Sequence, residues 1–177
     1  MHRLFVAVRL PAQIRGQLLD LMGGIPGARW QTEDQLHLTL RFIGEVDAHL
    51  AHDVAAALLG IMHPRFTIAL QGAGHFGQGS RAGALWIGVA PADPLAALHK
   101  KVDAACRRAG LAPEGRAYLP HITVARLGRA AGPVGSFVSV ASATRSEPFT
   151  VDSIALYEST LGTRGASYEL VERYRLG

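Results

Sequence analysis

The tetrapeptide HLTL at residues 37–40 returns as HITV at residues 121–124, 84 residues further along the chain. Each copy alternates polar and apolar side chains, which is the pattern of a β-strand with one buried and one open face. In such a strand the leucine, isoleucine and valine side chains point into a core, whereas the histidine and the threonine point together from the opposite face. The two segments therefore predict two strands that each present a His–Thr pair.

The similarity extends to the segments around the two tetrapeptides. LFVAV at residues 4–8 resembles LWIGV at residues 85–89, and FTI at residues 66–68 resembles FTV at residues 149–151. The strands and helices thus occur in the same order in both halves of the chain, and no linker-like stretch separates the halves.

This repetition predicts the fold class. We expect α+β architecture with two pseudo-symmetric lobes, each an antiparallel sheet with helices packed outside, and a central cleft that carries both His-x-Thr motifs. The chain is expected to form a single bilobal domain over residues 1–177, with an internal repeat of about 1–80 and 81–177.

Helices are predicted between the strands from apolar spacing and from end signals. The first begins at Pro11, the second is capped by Asp47, and the clearest runs from Asp93 to the stop signal at Gly110. Further elements are expected at residues 133–143 (a weak helix), 149–156 (a strand) and 168–174 (a strand).

Composition limits the class of protein. The chain has 177 residues, of which 49% are hydrophobic and 18% charged, so it can bury one core and is not disordered. No apolar run reaches the roughly 18–20 residues of a membrane helix, and the start of the chain does not read as a signal peptide. Cys106 is the single cysteine, which excludes an internal disulfide. These features predict a cytoplasmic protein.

The net charge of +4 comes mainly from arginine, because 16 of the 18 basic residues are Arg. The guanidinium group matches the geometry of phosphate, although a bias towards Arg also arises from genomic composition. The charge therefore permits a phosphate-bearing partner without requiring one.

Two imidazoles and two hydroxyls in one cleft suit the chemistry of phosphoesters. One histidine can remove a proton from the attacking oxygen while the other protonates the leaving oxygen. The hydroxyls of Thr39 and Thr123 can donate to non-bridging oxygens as negative charge develops there. His37 and His121 are therefore the candidate catalytic pair. The symmetry of the repeat leaves open which of them is the acid.

Two other patterns in the sequence resemble ligand-binding motifs. GAGHFG at residues 72–77 matches G-x-G-x-x-G, but a dinucleotide site requires that loop to open a helix, and here a strand follows. We expect a flexible hairpin loop, with a role as a mobile edge of the cleft left open. His49 and His52 are three residues apart on a predicted helix without an evident third ligand, so no metal site and no cofactor are predicted.

The chain resembles the RNA 2′,3′-cyclic phosphodiesterases, also called 2′-5′ RNA ligase-like proteins, of the two-histidine (2H) phosphoesterase superfamily. The resemblance covers nearly the whole sequence. It rests on RLFVA at residues 3–7, HLTLRFIG at 37–44, LWIGV at 85–89 and PHITVAR at 120–126, and it continues through FTV at 149–151 and ALYES at 155–159.

The resemblance implies an activity and a role for each site residue. The substrate would be an RNA or nucleotide with a 2′,3′-cyclic phosphate end, which is hydrolysed to a 2′-phosphomonoester. His37 would be the proton donor and His121 the proton acceptor, while Thr39, Thr123 and Arg126 would bind the phosphate.

Two alternative functions stay open at this point. One is a module that binds RNA ends without turnover, although such a module has no need of two groups that exchange protons. The other is 2′-5′ ligation of RNA ends. We expect hydrolysis to dominate because water is abundant, and we expect a monomer because two self-complementary lobes already pair within one chain.

Overall fold

The computed structural model describes residues 1–77 and 83–177. Over these residues the strands are β1 His2–Arg9, β2 Ala28–Trp30, β3 His37–Val46, β4 Phe66–Phe76, β5 Ala84–Ala90, β6 His121–Leu127, β7 Phe149–Val151, β8 Ser153–Gly162 and β9 Gly165–Arg175. The helices are α1 Ala12–Leu21, α2 Ala48–Leu58, α3 Asp93–Arg108 and α4 Gly135–Ala141, with a short 3₁₀ helix at Glu33–Gln35.

The strands form two sheets. The first sheet has the order β3-β1-β8-β9, and the second has the order β2-β6-β5-β4-β7. Every strand pairing in both sheets is antiparallel. The predicted α+β class with two antiparallel sheets is thus confirmed. None of the helices in the described ranges is long and apolar enough to cross a membrane.

Each sheet takes strands from both halves of the sequence. β1 lies between β3 and β8, and in the same way β5 lies between β6 and β4. β4 of the first half has therefore joined the sheet of β5 and β6, and β8 and β9 of the second half have joined the sheet of β1 and β3. We propose that this exchange unites the two repeats into the single domain expected over residues 1–177.

The exchange is centred on a short symmetric pairing between β4 and β7. Phe66 lies opposite Val151 and Ile68 lies opposite Phe149, so that Thr67 faces its repeat counterpart Thr150. A pairing in which equivalent residues face each other is what a two-fold relation between the repeats produces. The pseudo-two-fold axis accordingly passes beside the two threonines.

Matching β-bulges shape the two strands that carry the His-x-Thr motifs. The register of β3 against β1 shifts so that Leu40 is the extra residue, and the register of β6 against β5 shifts in the same way at Val124. Both extra residues are buried, as are the residues that follow them. The next residues, Phe42 and Arg126, are exposed and line the same cavity as His37.

The helices follow the predicted signals closely. The Asp47 side chain accepts a hydrogen bond of 2.8 Å from the Leu50 amide at the start of α2, as expected of a helix cap. Gly110 follows α3 with a φ of +110°, a conformation that favours glycine and ends the helix there.

Three predicted elements differ from the structure, and two observed elements were not predicted. Residues 72–77 are not a hairpin loop, because β4 continues through them to Phe76; residues 78–82 lie outside the described ranges. The strand expected at 149–156 is divided into β7 and β8. The weak helix expected at 133–143 is shorter, Gly135–Ala141, and both β2 and the 3₁₀ helix were not predicted.

Candidate active site

A cavity of about 750 Å³ lies where side chains of the two sheets converge. Its lining includes Arg3, Phe5, His37, Thr39, Tyr168 and Arg164 from the first sheet and its β8–β9 turn, and Arg29 and Arg126 from the second sheet. Four of these are arginines, and no carboxylate from the described residues lines the cavity. Such a cavity attracts an anion, and the fork of guanidinium donors fits a phosphate.

Both histidine rings are anchored in the same way. Nδ1 of His37 donates to the carbonyl oxygen of Gln35 at 2.7 Å, and Nδ1 of His121 donates to the carbonyl oxygen of Leu119 at 2.6 Å. In each case the acceptor lies two residues before the histidine. Because Nδ1 carries the proton, Nε2 of each neutral ring is left as a base. The repeat thus places two imidazoles in equivalent orientations.

Aromatic side chains hold the two rings in place. The ring of Phe5 on β1 lies 4.8 Å from that of His37, and its repeat counterpart Trp86 on β5 lies 6.3 Å from His121. A second aromatic ring meets each imidazole edge-on, Tyr168 at 5.2 Å from His37 and Phe76 at 4.9 Å from His121. This packing restricts the rings and shields them from water.

The surroundings make both imidazoles hard to protonate. The pKa of His37 is lowered from 6.5 to about 4, mainly by burial; the hydrogen bond to Gln35 opposes the shift, and the charges of Arg126 and His121 add to it. Burial also lowers the pKa of His121, with Arg126 adding to the effect and the bond to Leu119 opposing it. In the free protein at neutral pH both rings are therefore neutral, and His37 has the larger shift.

The two threonines occupy different surroundings. The Thr39 hydroxyl donates to Nε2 of His37 at 3.0 Å and lines the cavity. Thr123 is half-buried and, like His121, lies outside the cavity lining. Arg126, on the same strand, does line the cavity, and its charge affects the pKa values of both histidines. The structure thus brings His37, Thr39 and Arg126 together in one cavity.

Several lining residues were not identified from the sequence. Gln35 precedes the first motif, and its side-chain amide donates to the carbonyl oxygen of Ala166 at 2.7 Å, which ties the 3₁₀ helix to the β8–β9 hairpin. Arg29 lies on β2, whose three residues carry no recognisable strand pattern. The only signal in the sequence for a residue such as Arg29 is the high arginine content of the chain. That content does not show which of the arginines face the cavity.

The histidines weighed as metal ligands lie on the surface. Nε2 of His49 is 3.5 Å from the Asp53 carboxylate one helical turn away, and the His49 side chain is 88% exposed. His52 is exposed as well. Within residues 1–77 and 83–177, no three His, Cys, Asp or Glu side chains are grouped so that they could hold a metal ion.

Comparison with known proteins places the chain among relatives of one kind. The family model described as "2'-5' RNA ligase superfamily" matches residues 25–163. The RNA 2′,3′-cyclic phosphodiesterase of Escherichia coli K12 is 30% identical over 99% of this chain and 97% of its own length. That of Geobacillus stearothermophilus is 27% identical over 97% of this chain. The chain spans about half of the length of two curated relatives, 56% of the Geobacillus protein and 54% of the Aeropyrum pernix one.

A solved structure agrees with these matches. The structure of E. coli LigT in its apo form superimposes with a TM-score of 0.79 at 29% sequence identity, covering 99% of this chain and 97% of LigT. The fold is therefore shared over nearly the whole length of both proteins.

Proposed function

This chain belongs to the 2′-5′ RNA ligase superfamily, and we propose that it hydrolyses 2′,3′-cyclic phosphate ends of RNA to 2′-phosphomonoesters. The observation that carries the proposal is the matched anchoring of the two imidazoles, which leaves Nε2 of both His37 and His121 available for proton transfer. The arginine-rich cavity beside His37 supplies the charge that an anionic substrate needs. The relatives' names support the same reaction.

In the proposed mechanism each histidine moves one proton. Nε2 of His121 accepts a proton from a water molecule as the water oxygen bonds to phosphorus. The bond from phosphorus to O3′ breaks, and Nε2 of His37 donates a proton to that oxygen. The phosphate stays on O2′, and the ribose regains its 3′-hydroxyl. The donor and acceptor roles rest on the resemblance to the family.

Three further groups stabilise the charge that develops on the phosphorane. The hydroxyl of Thr39, which donates to His37 in the free site, turns to a non-bridging oxygen, and Thr123 donates from the second strand. Arg126 adds a positive charge beside both histidines. The reaction then uses no metal ion and no cofactor.

Binding of the substrate favours the protonated form of His37 that a proton donor requires. In the free protein the low pKa of His37 disfavours the protonated form that a proton donor requires. A bound phosphodiester is an anion, and an anion near an imidazole raises its pKa. We infer that binding of the substrate loads His37 with its proton, while His121 stays neutral as the base.

The same groups can also support 2′-5′ ligation, in which the 5′-hydroxyl of a second RNA end takes the place of water. Its oxygen bonds to phosphorus, the bond to O3′ breaks, and the ends are joined through a 2′-5′ linkage. Water competes with the 5′-hydroxyl for the cyclic phosphate and is present at a far higher concentration. We propose ligation as a side activity only. A cytoplasmic location and a monomeric state complete the proposal.

The test is incubation with an oligonucleotide that ends in a 2′,3′-cyclic phosphate, in the presence of EDTA, followed by analysis of the product. We expect a 2′-phosphate end. A 3′-phosphate end would show that the two histidine roles, or the orientation of the substrate, are reversed. Loss of activity on chelation, restored by added metal, would overturn the mechanism.

Substitution of the histidines tests the assignment of the pair. His37→Ala and His121→Ala should each lower turnover by about 10²-fold or more, the usual scale for an acid–base catalyst. The double variant should be little worse than the poorer single one, because the two residues act in one displacement. Circular dichroism serves as the control for folding. Near-normal turnover by either single variant would reject the pair.

A further inference from the structure

Two arginines face each other across neighbouring strands in the cavity. Arg29 on β2 lies directly opposite Arg126 on β6 in the antiparallel register, and both line the cavity. Side chains in such a pair start about 5 Å apart, and like charges there are destabilising. Neither arginine forms a salt bridge with an acid in the described ranges. The pair is therefore a place where an anion would relieve repulsion.

The strand that carries Arg29 is firmly held. Trp30 packs against Phe137 of α4 at a ring distance of 5.3 Å, and the Gln31 amide donates to the Val124 carbonyl oxygen at 2.9 Å. Before the strand, Gly27 has a φ of +76°, and a Cβ atom there would lie 2.9 Å from the Ala130 carbonyl oxygen. The close approach at Gly27 and the packing of Trp30 place Arg29 beside Arg126 through contacts that do not involve the guanidinium.

The proposed function already assigns one of the two guanidiniums. Arg126 follows the second His-x-Thr motif, and its charge reaches both imidazoles, so it belongs with the reacting phosphate. Arg29 lies on the next strand and does not contribute to the pKa shift of either histidine. An RNA end carries its next negative charge on the phosphodiester that links the terminal nucleotide to its neighbour.

We propose that Arg29 binds the phosphodiester on the 5′ side of the terminal nucleotide while Arg126 binds the cyclic phosphate. The preferred substrate is then an oligonucleotide of at least two residues, and a nucleoside 2′,3′-cyclic phosphate is a poor substitute. This inference rests on the proposed function, because it names the substrate class of the same cavity.

The experiment compares three substrates in steady-state kinetics. These are a nucleoside 2′,3′-cyclic phosphate, a dinucleotide ending in a 2′,3′-cyclic phosphate, and the same dinucleotide with an uncharged methylphosphonate linkage. We expect the wild-type protein to show a KM for the charged dinucleotide about tenfold lower than for the other two, the scale of one hydrogen bond to a charged group.

Variants then connect that preference to one side chain. In Arg29→Gln the ratio of the KM values for charged and uncharged dinucleotides should fall towards one, and Arg29→Lys should keep part of it because the charge remains. Arg173→Gln is the matched control, since Arg173 is an exposed strand arginine outside the cavity, and it should keep the full ratio.

The outcomes separate this inference from the function on which it rests. A wild-type protein with equal KM values for the charged and uncharged dinucleotides would overturn the role of Arg29, as would an Arg29→Gln variant that keeps the preference. Failure to hydrolyse any of the three substrates would instead reject the proposed function.

Discussion

The imidazole of His37 has to gain and lose a proton in surroundings that disfavour its charged form. Phe5 and Tyr168 pack against the ring, and the Gln35 carbonyl fixes which nitrogen carries the proton. The same packing that orients the ring for proton transfer therefore lowers its pKa to about 4. Orientation and acidity cannot be adjusted separately at this position.

This coupling makes the stability of the protein depend on pH. The pKa of His37 falls from 6.5 to about 4 on folding, so between these values the unfolded chain binds a proton that the folded chain does not. The contribution of His37 to the free energy of unfolding is fully present above about pH 6.5. It is lost as the pH falls towards 4, by up to about 3 kcal/mol. Denaturant unfolding between about pH 7.5 and 4.5 should show this loss.

The matched variant for that measurement is His37→Gln, which keeps a polar side chain without an imidazole. Its free energy of unfolding should depend less steeply on pH over the same range. If both proteins lost stability equally, the buried imidazole would not be the cause.

For single residues, simple alternation along a strand predicts that the His and Thr of each motif share one face. The same rule does not predict that Arg126 points to that face, since alternation from His121 and Thr123 places Ala125 there. The bulge at Val124 reverses that order. Bulges depend on the pairing of two strands, which one segment of sequence does not reveal.

The strand β4 shows how an element can depend on one missing side chain. Gly74 lies opposite Trp86, and a Cβ atom at Gly74 would come within 2.7 Å of Cη2 of the indole. The indole in turn packs near His121 and Phe76. Glycine in this strand is therefore a requirement of the packing around the second histidine.

Gly74→Ala should destabilise the protein by about 1–3 kcal/mol, because the indole must move out of a filled space. Turnover should fall as well, since Trp86 packs near His121. The comparison is Gly16→Ala in α1, where a Cβ atom would meet nothing within 4 Å and should raise stability by about 0.5–1 kcal/mol. Thermal unfolding and turnover of both variants provide the test, and a Gly74→Ala protein of unchanged stability would contradict the packing argument.

The same residue explains one wrong prediction. Three glycines in residues 72–77 are typical of a loop, because glycine is depleted in strands. In the structure these residues nevertheless form part of β4, and Gly74 leaves the space that the Trp86 indole fills. The longer helices could be predicted because their apolar stripes and caps can be recognised within one segment of sequence. β2 has only three residues and is a strand because it pairs with β6.

For the molecule as a whole, the exchange of strands makes each half dependent on the other. Residues 1–77 alone contain β1 and β3 as a two-stranded pair, and residues 83–177 alone contain only the β5–β6 pair and the β8–β9 hairpin. Two-stranded sheets are at best marginally stable in water.

Neither half should fold when expressed alone, and both should fold when they are co-expressed, because the pairings of β1 with β8 and of β4 with β5 need no covalent link. Dispersion of amide signals in NMR spectra of the separate and combined halves checks this. A well-dispersed spectrum from either half alone would contradict the dependence.

The sequence predicted the duplicated fold class correctly from the two tetrapeptides and the segments around them. The exchange of strands between the sheets could not be predicted from the similarity of the two repeats. Each repeat could keep its last strands in its own sheet or place them in the sheet of the other repeat, and the local sequence pattern would be the same in both cases. The choice depends on the connections between elements, and similarity between the halves carries no information about those.

The pairing of β1 with β8 also has a consequence in time. Leu4 lies opposite Glu158, so β1 leaves the ribosome about 150 residues before its partner β8 is made. At the usual pace of synthesis that delay is about 10–30 s. Throughout it, one side of β1 is covered by β3 at most, and the other side presents unpaired backbone groups that invite association with other chains. We therefore expect the yield of native protein to depend on the speed of translation and on protection of the growing chain until β8 is made.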